Sequence, residues 1–231
     1  GIWDEPFFQY MREVLNAKQQ PFFSTLFTVS SHEPFSIPKK YEGKFPVGNK
    51  QIHKTIGYTD YAFKRFFEEA SKEPWFENTI FIITADHTDQ VDYDEYLKVV
   101  NRAAVPILFF TPNGTLHGKN IDLAQQIDIF PTVMDLIGYN KPFRSWGRSL
   151  VGDKEVVPFV INYGANQYTF QRGNYICRFD GKKATGFFDI KDKALENNLI
   201  NSKNKEMEEL EMACKAFLQD YFERIVDRKL N

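Results

Sequence analysis

The run Thr79-Ile80-Phe81-Ile82-Ile83-Thr84-Ala85 is apolar on both of its faces. Successive side chains of a strand point to opposite sides of a sheet, so a run without polar alternation calls for cover on both. That reading makes it a central parallel strand. Apolar strands are also expected at Phe22–Val29, Val105–Phe110 and Val157–Asn162. Helical periodicity fills the intervals. Phe7, Met11, Val14 and Leu15 mark a helix over Asp4–Gln19, and Ile52, Ile56, Phe63, Phe66 and Phe67 mark one over Gln51–Lys72. A third is expected over Asp122–Leu136, broken near Pro131 and stopped at Gly138. Alternating strands and helices imply an α/β fold, a mostly parallel sheet sandwiched by helices.

The pattern changes after residue 165. Short alternating segments from Tyr168 to Ile190 are separated by Arg172-Gly173-Asn174 and Asp180-Gly181-Lys182, the signature of antiparallel hairpins. Lys203–Arg228 reads as one long amphipathic helix with Leu210, Cys214, Phe217, Leu218 and Ile225 on its apolar side. The chain therefore divides into an α/β portion, 1–165, and a small antiparallel sheet with a C-terminal helix, 166–231, within the same domain. Between His32 and the second helix, Glu33–Asn49 is a long loop rich in breakers and lysine, and such loops are often functional.

With 231 residues, 42% of them hydrophobic, a sizeable core is available. A net charge of −2 provides no basic face for nucleic acid. Cys177 and Cys214 have no metal-ligand spacing and make no disulfide framework, so they read as buried thiols. No apolar run is long enough to span a membrane. The start at Gly1, with neither an initiator Met nor a signal-peptide pattern, leads to the expectation of a processed or truncated product; whatever precedes it, a membrane anchor included, is beyond what this sequence shows.

Ligands of open α/β sheets bind beyond the carboxyl ends of the strands. Asp86-His87 directly follows the Thr79–Ala85 run, and His32 follows Phe22–Val29. A carboxylate and an imidazole at one strand end suit a divalent metal such as zinc or manganese, which would polarise a phosphoryl oxygen. Taken alone, the same residues also serve as a capping carboxylate and two turn histidines.

Several blocks in order resemble the sulfatase-like branch of the alkaline phosphatase superfamily, the branch that contains lipoteichoic acid synthases and related phosphoglycerol transferases. They are Phe27-Thr28-Val29-Ser30-Ser31-His32-Glu33-Pro34-Phe35, Tyr58-Thr59-Asp60-Tyr61-Ala62, Thr79 through His87, and Gln126-Ile127-Asp128-Ile129-Phe130-Pro131-Thr132 with Gly147-Arg148-Ser149-Leu150. The last is Phe187-Phe188-Asp189-Ile190 with Glu196-Asn197-Asn198-Leu199. The resemblance implies an alkaline-phosphatase-like fold, with Asp86 and His87 as ligands of a divalent metal ion (manganese, zinc or magnesium). It implies that His32 contacts the substrate phosphate or leaving group and that Arg148, with Arg144 and Trp146, helps bind an anionic head group, an exposed solvated loop being the other reading of those three residues. Asp128, Pro131, Thr132 and Asp60 are assigned to structure.

The implied activity is metal-dependent transfer or hydrolysis of a phosphodiester such as a phospholipid head group, outside the cytoplasmic membrane. A sulfate-ester hydrolase and an inactive anion-binding module are the alternatives. Thr88 stands where the family usually has Gly. The family's nucleophile, a threonine or a formylglycine precursor, is expected upstream of Gly1, so the isolated chain is expected to be inactive.

Overall fold

The computed structural model describes residues 1–152 and 156–229; the last two residues of the expected 166–231 segment lie outside that range. The described residues form two compact units, Gly1–Ile83 with Ile107–Gly118, and Thr84–Pro106 with Lys119–Asn231.

The first unit is built on α1 (Asp4–Asn16) and α2 (Ile52–Ala70). Their apolar stripes meet through Phe8, Leu15, Ala62, Phe66 and Ala70, with Trp75 and Phe76 closing the core. The Phe8 ring lies 4.8 Å from Phe63 and 5.5 Å from Phe66, the tilted contacts aromatic rings favour. Against this core sit β1 (Phe81–Thr84) and β2 (Ile107–Phe110), paired as a two-stranded sheet.

The expected strand at Phe22–Val29 carries no regular secondary structure and pairs with no strand among the described residues. Its exposure still alternates: Leu26 and Thr28 turn inward, while Phe23 and Phe27 are 86% and 68% exposed. Side-chain alternation can be read from sequence, whereas a ladder also needs a partner backbone.

In the second unit, β3 (Phe159–Gly164), β4 (Gln167–Arg172), β5 (Tyr175–Phe179) and β6 (Ala184–Asp189) form an antiparallel meander in chain order. The β3–β4 turn uses Ala165 and Asn166 at positive φ (51° and 57°), as tight hairpins require. One face, with Phe170, Cys177, Phe179 and Phe187, packs on Met207, Leu210, Cys214 and Leu218 of α5 (Lys205–Ile225). Asn204 caps α5 by accepting from the Met207 N–H at 3.0 Å. The other face packs Ile176 and Phe188 against Val100, Ile190 and Leu195. The expected Val157–Asn162 strand thus belongs to this antiparallel sheet. Because the other sheet holds only β1 and β2, a broad parallel sheet is not formed among the described residues.

A short helix, α3 (Asp94–Leu97), lies between β1 and β2 in chain order. The helix expected from Asp122 begins later, as α4 (Ile129–Leu136) after a 3₁₀ turn at Gln126–Asp128. Pro131 lies in its first turn, where backbone N–H groups lack intrahelical partners and a missing donor costs nothing. Pro131 therefore marks a beginning where a break was expected.

Candidate metal and phosphate site

Asp86 and His87 leave β1 in the turn that follows it, both exposed. The His87 N–H donates to Asp86 Oδ1 at 2.9 Å, fixing the carboxylate beside its own neighbour. His87 Nδ1 lies 2.8 Å from the Thr88 carbonyl. A carbonyl only accepts, so Nδ1 carries the proton, and in the neutral imidazole Nε2 keeps its lone pair. Nε2 lies 3.5 Å from Asp86 Oδ2. An imidazole nitrogen and a carboxylate oxygen therefore stand side by side with the tautomer set for metal binding. The Thr88 carbonyl and then the Asp86 carboxylate hold the His87 pKa above its ordinary value.

The turn is held from α4's side of the unit. Gln126 Nε2 donates to the carbonyls of Ala85 at 3.0 Å and Asp86 at 3.1 Å. Thr88 Oγ1 donates to the Arg102 carbonyl. In the same 3₁₀ turn, buried Asp128 accepts from the Gln125 N–H through Oδ2 and from the Arg148 N–H through Oδ1, both at 2.9 Å. Thr132 Oγ1 donates to the Asp128 carbonyl and accepts from the Leu150 N–H. One turn therefore supports both the Asp86 carbonyl and the Gly147–Leu150 segment. Gly147 permits the close approach: a Cβ there would lie 2.1 Å from the Ile127 carbonyl oxygen.

Arg148 is half-buried, and its guanidinium donates to the Leu123 carbonyl at 3.1 Å and, more weakly, to that of Ser149. It borders an open cavity of about 420 Å³ lined also by Asp135, Tyr139, Phe143 and Ser149. Trp146 donates to Asp220 of α5 at 2.6 Å, a packing role.

His32 belongs to the first unit. It is exposed in a turn after Ser30-Ser31, with Nδ1 3.1 Å from the Glu33 carbonyl, which frees Nε2 in the same way. Glu33-Pro34 follows, and Phe35, 3% exposed, closes the turn by donating its N–H to the His32 carbonyl at 3.0 Å.

The structure thus juxtaposes Asp86 with His87 and gives Arg148 and that pair a common support. Among the described residues no three His, Cys, Asp or Glu side chains converge as a metal cage. The donor types of Asp86 and His87 fit a divalent ion as two ligands. Sequence reasoning passed over Gln126 and Thr88 as supports. The available signal was Gln126 standing beside Asp128 in one block.

The Sulfatase family model matches residues 1–139, more than half of the chain. Lipoteichoic acid synthase 2 of Bacillus subtilis (strain 168) is 24% identical over 205 residues, covering 79% of this chain and 31% of that protein. Lipoteichoic acid synthase of Staphylococcus aureus (strain USA300) is 26% identical over 227 residues, covering 88% and 35%. A solved alkaline phosphatase superfamily protein from Vibrio parahaemolyticus superposes with a TM-score of 0.78 at 23% identity, covering 97% of this chain and 55% of that one. Ps i-CgsB in complex with k-i-k-neocarrahexaose gives 0.71 at 13% identity, covering 93% and 53%. The chain spans about a third of the length of these curated relatives and about half of these solved chains. On the family match, this chain belongs to the sulfatase family, and its fold is of the alkaline phosphatase kind.

Proposed function

We propose that the chain is part of a metal-dependent enzyme that transfers or hydrolyses a phosphodiester, with a phosphoglycerol-type head group as substrate. The observation that carries this reading is the Asp86–His87 pair, with Nε2 freed by the Thr88 carbonyl and set beside Oδ2. The similarity to lipoteichoic acid synthases supports the phosphoglycerol class. Asp86 and His87 would hold a manganese, zinc or magnesium ion, which when bound supplies positive charge at the non-bridging oxygens. His32 presents Nε2 to an oxygen of the phosphate or of the departing alcohol. It donates a hydrogen bond when protonated and takes up a proton when neutral. Arg148, held rigidly beside its cavity, adds a fixed positive charge for an anionic head group.

By the same family reading the catalytic domain works outside the cytoplasmic membrane, at its surface. Among the described residues no helix is long and apolar enough to cross a membrane.

A thermal melt with and without manganese or zinc tests the metal site. An ion that binds only the folded state raises the melting temperature with saturation. The expected outcome is a rise in the native chain that is lost in His87→Ala and in Asp86→Asn. A melting temperature indifferent to both ions, or a rise that survives both substitutions, would overturn the reading.

A further inference from the structure

We propose that Asp4 is a positioning residue for His32, acting through a reciprocal hydrogen-bonded latch with Ser30. The proposal rests on the reading of His32 as a phosphate contact. Asp4 is the first residue of α1 and is fully buried. Its Oδ1 accepts from the Ser30 N–H at 3.2 Å, while its own N–H donates to Ser30 Oγ at 2.9 Å. Each residue thus bonds the other's main chain with its side chain across 26 positions of sequence. Trp3, at the N-cap position, makes no side-chain cap bond, so Ser30 supplies the missing cap from a distant segment.

The remaining oxygen, Oδ2, accepts from Thr59 Oγ1 of α2 at 2.8 Å. A buried carboxylate is stable only when hydrogen-bonded, and here its partners tie the residue two before His32 to both helices. On the far side, the turn is anchored by Phe35, buried at φ 52°. His32 itself is exposed, and among the described residues no hydrogen bond joins its side chain to either helix. Its direction is therefore inherited from the anchors flanking it, and Asp4 is the polar one.

The test follows the imidazole signals of the chain's four histidines by NMR during titration with inorganic phosphate, well below the melting temperature. In Asp4→Ala the His32 signal is expected to move, the His117 signal to stay, and phosphate affinity to fall about tenfold, the scale of a lost hydrogen bond to a charged group. Asp4→Asn keeps an acceptor for Ser30 and a polar partner for Thr59, and is expected to recover most of the affinity. An unchanged His32 signal and affinity in Asp4→Ala would overturn the proposal. If Asp4→Ala fails to fold, Thr59→Val decides by the same two readouts: a moved His32 signal upholds the latch, an unmoved one overturns it. His32→Ala separates the two readings. Undiminished phosphate binding there defeats the role of His32, whereas a loss there with none in Asp4→Ala defeats only the role of Asp4.

Discussion

A single amide nitrogen of Gln126 bridges the Ala85 and Asp86 carbonyls across some 40 positions of sequence. Removing it leaves the backbone that bears both candidate ligands free to turn. Supports of this kind typically cost about 10–100-fold in metal affinity when lost. Gln126→Ala is accordingly expected to bind manganese at least about tenfold more weakly at little cost to the metal-free melt. Melting curves across a metal titration measure this, and an unchanged apparent affinity would refute it. As candidates, Asp86 and His87 were legible in the sequence because a strand end and a family block coincide there. Gln126 and Asp4 were not, since each bonds a residue far away in the chain, and no local pattern announces such a bond.

Helix boundaries show a similar division. The α1, α2 and α5 segments follow their apolar periodicity closely. At α4 the apolar pattern ran back to Asp122, but the chain is held extended at Gln125 (φ −147°) by a capping box in which Asp128 accepts the Gln125 N–H. The packing of Gly147 on that turn explains its lack of a side chain. In Gly147→Ala the new Cβ meets Ile127 and Asp128 backbone at 2.1 to 2.8 Å. Backbone cannot swing aside as a side chain does, and a loss of roughly 1–3 kcal/mol is expected from denaturant unfolding.

Along α5, burial would lift the Glu211 carboxyl, but bonds from Lys203, Lys215 and the Ala184 N–H outweigh it and hold the pKa at about 2, below the ordinary 4.5. A depressed folded value means the stabilisation is full above the unfolded pKa and is lost as pH falls through the folded one. Denaturation midpoints are therefore expected to drop between about pH 4.5 and pH 2, and the drop is expected to be shallower in Glu211→Gln.

For the whole molecule, the sequence announced an α/β chain and the later hairpins correctly, while the breadth of the first sheet escaped it. A run such as Thr79–Ala85 reports that a strand has two covered faces, not how many strands lie beside it. Half-buried Phe81, Ile82 and Ile83 satisfy that pattern within a two-stranded sheet. Apolar side chains also remain outside the cores, Phe23 and Phe27 prominently. Contiguous exposed apolar surface favours self-association. Phe23→Ser and Phe27→Ser are expected to shift unfolding free energy by no more than about 0.5 kcal/mol while lowering light scattering in concentrated solution. A larger loss of stability would show these rings to be packed.

The β3–β6 meander pairs each strand with the next in sequence, through turns of only a few residues. Its contact order is therefore low, and closing short loops costs little chain entropy. The Asp4–Ser30 and Glu5–Tyr41 links, like the β1–β2 pair, each close a longer stretch of chain. During folding, the sheet that α5 covers is therefore expected to form early from local encounters, and the turn bearing His32 to take its final shape late.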